Sequence, residues 1–340
     1  MTGQDRPEMT ALERQGAAAK AAARVLSVAS EEQKNRALLA IADAIIARAD
    51  EWLAANAEDL KAAKASGMRE SLIDRLALDR KRVEQIAAAV REVTELPDPV
   101  GRTIGETVRP NGLVIQKRRV PLGVIAMIYE ARPNVTVDAA VLCLKSGNAC
   151  ILRGGKEAIN SNLCAEKIMR AALETAGLPA DCISLVHDTS RQSSAELMHL
   201  NEYVDVLIPR GGAGLIRAVA KESSVPVIRT GEGVCHVYVD AAADLDMAAE
   251  VLFNAKCSRP SVCNACECVL VHESILKPFF EKALPLLEKK LNEGAFVICE
   301  HERELTLPDE TGELVLHKRY KYGKIALTVY RLPKKDEEEL

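Results

Sequence analysis

Aromatic side chains are scarce in this 340-residue chain, which has one Trp, four Phe and six Tyr. So few rings leave little for the bases of a single-stranded nucleic acid to stack on. No excess of one charge makes up for this: 45 Lys and Arg stand against 49 Asp and Glu, a formal net charge of −4. A nucleic-acid partner is therefore not expected. Long apolar runs are also missing; none approaches the roughly 20 residues that cross a bilayer as a helix, so no membrane span is expected. The opening Met1-Thr-Gly-Gln-Asp-Arg-Pro7 lacks the apolar core of a signal peptide. Ten cysteines at irregular positions, without such a signal, suit a reducing compartment, and the expectation is a cytoplasmic protein.

What is present is globular. Hydrophobic residues make up 48% of the chain and charged ones 28%, and the length suffices for about two domains with substantial cores. Residues 1 to about 98 carry helical periodicity, as in Leu38, Leu39, Ile41, Ala42, Ile45 and Ile46. Ser30 before Glu31 and Glu32 reads as a helix cap, and a further helix runs from Asp79 to Glu95. Nothing in this region carries chemistry; its expected role is to pack against a sheet.

From Gly101 the pattern becomes β-rich. Residues 103–120 read as an exposed, partly charged ribbon, and as a surface for a homo-oligomer. Val124–Tyr129 follows as a buried strand, Glu130–Asn134 as a polar loop, and Val135–Lys145 as a helix. Two strand–loop–helix units come next. In the first, Ala149–Leu152 leads into the loop Arg153, Gly154, Gly155, Lys156 and a helix over Leu163–Ala176 capped by Asn160 or Ser161. In the second, Val204–Ile208 leads through Pro209 into Arg210, Gly211, Gly212, Ala213, Gly214 and a helix from Leu215 to Lys221. Cys182–Val186 and Val225–Ile228 add further strands. Such alternation implies a parallel sheet, with ligands beyond the carboxyl ends of its strands.

Both glycine loops suit a phosphate-bearing ligand, since glycine lets the backbone approach closely and a helix N-terminus offers unpaired N–H groups to an anion. Lys156 and Arg210 add positive charge. Neither loop has the G-x-G-x-x-G spacing of the common dinucleotide fingerprint. Each alone is equally a plain tight turn; the pair, each with a cation after consecutive parallel strands, makes a dinucleotide as good a reading as two plain turns.

The stretch Asn254–Val271 holds Cys257, Cys263, Cys266 and Cys268. A Cys-x-x-Cys pair can be a zinc knuckle or a redox pair. Cys266 and Cys268 are only two apart at the start of a predicted strand, which spaces the second pair poorly for a closed zinc site, so no metal is expected. A cluster of buried thiols and a nucleophile at Cys263 remain. A thiolate is accessible near neutral pH from a free pKa of about 8.5, and it attacks carbonyl carbon readily. Upstream, Glu232 between glycines reads as a general base or as a solvated turn residue, and His236 as a core or supporting histidine.

Four motifs in order carry a resemblance. Val120–Asn134, Ile151–Lys156, Leu207–Leu215 and Arg259–Asn264 together resemble the gamma-glutamyl phosphate reductase family, glutamate-5-semialdehyde dehydrogenases of the aldehyde dehydrogenase superfamily. The likeness covers roughly residues 9–280. It implies an α/β fold of aldehyde-dehydrogenase type: a helical region and an NADP-binding, Rossmann-like parallel-sheet domain over 1–234, and a smaller α/β catalytic domain over 235–340. It further implies NADPH-dependent reduction of L-glutamyl 5-phosphate to glutamate 5-semialdehyde, a step of proline synthesis, through a thioester on Cys263. Asn134 and the Cys263 backbone N–H would hold the oxyanion, Arg153–Lys156 would lie by the adenine-side ribose and phosphate, and Arg210–Leu215 by the pyrophosphate. Glu232 would have no catalytic role, because phosphate rather than water is the partner of the acyl enzyme. For the substrate's amino-acid end the candidates are Arg132 and Arg259, either of which could equally hold a loop. After about Glu300 the likeness fades, and the family's Phe-Gly-Leu-Gly segment is not seen. Glu313–His317 and Lys324–Tyr330 read there as two strands turning near Tyr322-Gly323, and Lys334–Leu340 as a solvated charge run. A shortened, divergent C-terminal region is thus expected, and with it the alternative of a catalytically silent nucleotide-binding or interaction protein.

Overall fold

The computed structural model describes residues 9–229, 231, 233–260 and 262–333. The expectations for Glu232 and for Lys334–Leu340 lie outside the described residues. The chain divides into two compact units, Met1–Thr230 and Gly231–Leu340.

The first unit opens with five helices: α1 (Ala11–Leu26), α2 (Glu31–Ala47), α3 (Ala49–Ala65), α4 (Glu70–Leu76) and α5 (Arg80–Glu95). Their starts follow from side-chain acceptors. Thr10 accepts from Glu13 N at 3.1 Å while Glu13 accepts from Thr10 N at 2.7 Å, a reciprocal capping box. Ser30 Oγ caps α2 through Gln33 N, and Asp79 caps α5 through Arg82 N. Along α2 the buried positions are Lys34, Ala37, Leu38, Ile41, Ala42 and Ile45, one stripe at helical spacing.

A ribbon of β1 (Thr103–Val108) and β2 (Val114–Arg118) pairs antiparallel, and every residue from 103 to 120 is exposed. Then come β3 (Val124–Tyr129), α6 (Pro133–Lys145), β4 (Ala149–Arg153), α7 (Ile159–Thr175), β5 (Ile183–Leu185), α8 (Arg191–Met198), β6 (Val206–Arg210) and α9 (Ala213–Glu222). The strands form one parallel sheet in the order β5-β4-β3-β6. Both faces are covered, which is why these strands are almost wholly apolar. On β3 and β4, Ile125, Tyr129, Cys150 and Leu152 join a core with α2, α3, α5, α6 and α7. The alternate residues Val124, Ala126, Ile128, Ala149 and Ile151 face a second core with α1, α8 and α9.

Two local expectations fail here. The helix expected from Leu163 starts at Ile159, so Asn160 and Ser161 lie within it and do not cap it. The buried carboxylate of Asp59 serves instead, accepting from Asn160 N and Nδ2 and from Ser161 N and Oγ at 2.6–3.1 Å. Val225–Ile228 makes only a single parallel bridge, Leu207↔Val227, because Pro226 has no N–H to donate to a ladder.

The second unit begins with β7 (Cys235–Val239), α10 (Leu245–Cys257) and β8 (Cys266–Val271), the two strands pairing in parallel. Helix α11 (Leu276–Glu288) follows, its fully buried Phe279 sharing a core with Val239, Ala249, Leu252 and Cys266. The remaining strands β9 (Phe296–Glu302), β10 (Glu310–Thr311), β11 (Leu314–Tyr322) and β12 (Ile325–Arg331) form an antiparallel sheet in the order β10-β11-β12-β9. Its β11–β12 hairpin turns through Gly323, whose φ of +57° suits a residue without Cβ. Ala326, Thr328 and Tyr330 alternate inward along β12. The sequence pattern anticipated β11 and β12 but not β9 or β10.

Candidate active site

In the first unit the adjacent parallel strands β3, β4 and β6 end at Tyr129, Arg153 and Arg210. The segments that leave these ends converge. Glu130 Oε1 accepts from Gly212 N at 2.6 Å, and Glu130 N donates to Arg210 O at 3.3 Å. A Cβ on Gly155 would lie 3.0 Å from Ala131 N; one on Gly211 would lie 2.9 Å from the Glu130 side chain and from Leu215 Cδ2. Neither glycine has a positive φ. Gly155 lets the Ala131 backbone approach closely, and Gly211 lets the Glu130 and Leu215 side chains do so.

The two loops differ in the charge they offer. Arg153 is half-buried, and its Nη2 donates to the carbonyls of Thr189 and Ser190 at 2.6 and 3.0 Å. Burial lowers its pKa, while Asp188, Glu157 and Tyr129 work against that. Its guanidinium therefore ties the β5–α8 loop down. Lys156 and Arg210 are exposed. Gly212 is the N-cap of α9, and the N–H groups of Ala213, Gly214 and Leu215 form its first turn. Glu130, which the sequence pattern did not single out, already places one carboxylate oxygen at this helix start.

Asn134 was expected in a loop. It lies in the first turn of α6, where Pro133 supplies a preset φ at the first helical position and Arg132 is the N-cap. Its Nδ2 donates to Asp138 Oδ2 at 3.0 Å, one turn along the same half-buried face. Burial raises the Asp138 pKa; the bond from Asn134 and the charge of Arg210 oppose the rise. Behind this turn Tyr129 donates to Thr136, and Thr136 to Asn162 Oδ1, each at 2.7 Å and buried. Asp138 was legible as an i,i+4 partner of Asn134 only once the helix start was known.

In the second unit Cys263 is exposed on the loop between α10 and β8. Two turns carry it: Val262 N donates to Arg259 O at 3.3 Å and Ala265 N to Val262 O at 3.2 Å. Arg259 is exposed four residues earlier. The Cys235 thiol donates to the Cys263 carbonyl at 3.7 Å, and a Cβ on Gly233 would stand 2.9 Å from that oxygen. Cys266 is buried, and its thiol donates to Cys268 O at 3.2 Å. His236, expected in a core or a supporting position, is exposed on β7 with its Nδ1 bonded to its neighbour Val234's carbonyl at 2.8 Å. All ten cysteines are free thiols. Among the described residues no group of three or more His, Cys, Asp or Glu side chains is arranged to hold a metal, and no helix is long and apolar enough to cross a membrane.

A parallel sheet with cationic glycine loops at its strand ends, and a β–α–β unit with an exposed thiol ahead of its second strand, define a class: the chain belongs to the aldehyde dehydrogenase family, whose profile matches residues 7–295. Its relatives narrow this further. The chain is 53% identical to gamma-glutamyl phosphate reductase of Lachnospira eligens over 285 residues, which is 84% of this chain and 68% of that one. It is 54% identical to the enzyme of the same name from Heliobacterium modesticaldum over 278 residues, 82% and 66% of the two chains. Among solved structures, gamma-glutamyl phosphate reductase of Thermotoga maritima matches with a TM-score of 0.76 at 43% identity, covering 83% of this chain and 68% of that one. The Saccharomyces cerevisiae enzyme matches with a TM-score of 0.61 at 31% identity, covering 83% and 69%. Within the family, then, the chain falls in the gamma-glutamyl phosphate reductase branch, and it spans about two thirds of the length of the curated relatives it matches.

Proposed function

We propose that the protein reduces L-glutamyl 5-phosphate to L-glutamate 5-semialdehyde and phosphate with NADPH, in the cytoplasm, as a step of proline synthesis. One observation carries this reading. The whole set of residues proposed for the chemistry, from Arg132 to Cys263, lies inside the matched stretch 7–295, and the relatives bear the name of that enzyme.

The chain's own residues fit a phosphate-bearing dinucleotide. Gly155 and Gly211 follow the carboxyl ends of β4 and β6, α9 presents N–H groups, and Lys156 and Arg210 carry exposed positive charge. Arg153 and Gly154 belong to this loop as its anchor, and Gly212, Ala213, Gly214 and Leu215 form the start of α9. Bound NADPH supplies a hydride.

Cys263 acts as a thiolate on the acyl phosphate carbonyl carbon. The carbon–sulfur bond forms, the carbon–oxygen bond to phosphate breaks, and phosphate leaves. Reduction of the thioester gives a thiohemiacetal oxyanion, which collapses to the aldehyde and returns the sulfur as thiolate. At each stage negative charge grows on the former carbonyl oxygen, and the Asn134 amide with the Cys263 N–H supports it. Arg132 and Arg259 are the cations proposed for the substrate's amino-acid end. A second copy of the chain is proposed to dock on the β1–β2 ribbon.

The test is oxidation of glutamate 5-semialdehyde in the presence of phosphate, followed as NADPH formed from NADP⁺. Turnover that is abolished in Cys263→Ala is expected; turnover that survives it rejects the nucleophile. The second reading, a silent nucleotide-binding protein, is favoured by the end of the family match at residue 295, beyond which β9 to β12 form their own sheet. It predicts NADPH binding by calorimetry with no turnover.

A further inference from the structure

We infer that Asp138 is a positioning residue whose carboxylate fixes the sense of the Asn134 side-chain amide, so that N–H and not the carbonyl oxygen is presented to the oxyanion. The inference rests on the proposed role of Asn134.

The two ends of a carboxamide have nearly the same shape and opposite hydrogen-bonding character. Toward a growing negative charge, one end stabilises and the other repels. An Asn that serves as an oxyanion donor therefore needs something to choose its orientation. An ionised carboxylate only accepts hydrogen bonds, so it can bind only the NH₂ end. Asp138 Oδ2 holds Asn134 Nδ2 at 3.0 Å, one helical turn away. The NH₂ group has two hydrogens; with one on Asp138, the second is left to donate outward. The helix is a firm mount for this pair. Pro133 sets its first turn, and buried Thr136, between the two residues, is bonded to both Tyr129 and Asn162.

Asp138 has a price for folding as well. Burial raises its pKa, so its charged form is disfavoured in the folded protein, with Arg210 offsetting part of that. A residue retained for stability alone would do better neutral. Its negative charge lies one helical turn from the oxyanion donor and repels the developing charge, which limits the gain from positioning to less than the full value of the donor.

The experiment uses the full chain as wild type, Asn134→Ala, Asp138→Ala, Asp138→Asn and the double alanine variant. It measures kcat in the semialdehyde assay, Kd for NADP⁺ by calorimetry, and the thermal midpoint. Losing one oxyanion donor lowers kcat about 100-fold in comparable sites, which is the expectation for Asn134→Ala. Asp138→Ala is expected to lower kcat about tenfold with the NADP⁺ Kd unchanged, and the double variant to be no slower than Asn134→Ala, since positioning has no value without the group positioned. Asp138→Asn, which can bond either end of the amide, is expected to fall between wild type and Asp138→Ala. Full kcat in Asp138→Ala, or losses that multiply in the double variant, overturns the inference while leaving Asn134 as donor. Full kcat in Asn134→Ala rejects the oxyanion reading and this inference with it. A second readout needs no turnover. In the ¹⁵N-labelled chain the Asn134 side-chain amide, assigned by its loss in Asn134→Ala, is expected to exchange its protons with solvent faster in Asp138→Ala; an unchanged amide signal overturns the inference in an active or an inactive chain.

Discussion

Asp138 sets function against stability in a way that can be measured. Its carboxyl has a pKa above the unfolded value of 3.8 because partial burial disfavours the charged form. The folded state therefore binds this proton more tightly than the unfolded state does, and stability falls as pH rises through that interval. Above the folded pKa the ionised group is a fixed cost; below about pH 4, where both states are protonated, the cost is gone. Asp138→Asn is expected to raise the thermal midpoint at neutral pH, with its advantage over wild type fading as the pH is lowered toward that value. Scanning calorimetry at a series of pH values checks this, and a midpoint that drops at neutral pH contradicts it. Stabilisation together with slower turnover is the pattern expected where a group serves chemistry at the expense of the fold.

At the scale of elements, Asp59 of α3 is the cap of α7, beside the bonds that Trp52 and Asn56 make to Ser161. Asp59 is 2% exposed and is the acceptor for four donors at the start of α7. Asp59→Ala leaves those donors without their acceptor in a buried setting and is expected to cost about 2–4 kcal/mol, read as a lower urea midpoint at unchanged slope. Asp59→Asn, which keeps one acceptor oxygen, is expected to recover part of the loss. The same junction marks the limit of what the sequence made legible. The parallel strands were readable because strands covered on both faces carry near-continuous apolar runs, as in Val124–Tyr129 and Ala149–Leu152. The glycine loops and Cys263 could be singled out because their residue types are uncommon in those settings. The start of α7 could not be placed, because its cap comes from a residue 101 positions away and not from Asn160 or Ser161. The start of α6 differs for the opposite reason: the loop reading of Glu130–Asn134 takes in Pro133, which opens the helix, and this hides the Asn134–Asp138 pair. Glu130 gave no signal, since its partner Gly212 is remote in sequence and bonds it through a backbone N–H.

At the scale of the whole molecule, the β1–β2 ribbon is the feature with least internal support. Val108 and Val114 are opposite one another and exposed, as are Ile104, Leu113 and Ile115. Two edge strands with apolar side chains and unpaired backbone groups are a ready template for pairing. Val108→Lys with Val114→Lys is expected to convert an oligomer to a monomer in sedimentation velocity, with the circular dichroism of the fold retained. A wild-type chain that already sediments as a monomer at micromolar concentration removes the ribbon from the assembly.

The sheet of β9 to β12 begins where the family match stops, yet it is no loose appendage. Leu314, Tyr330 and Leu332 share a buried cluster with Leu284 of α11, against which Phe280 also packs. A protease that cut this sheet away would strip the outer wall from α11 and leave a greasy helix open to water. The portion of the chain beyond the family match is thus one that the second unit leans on, and deletion at the family boundary should yield inclusion bodies in place of a trimmed, folded chain.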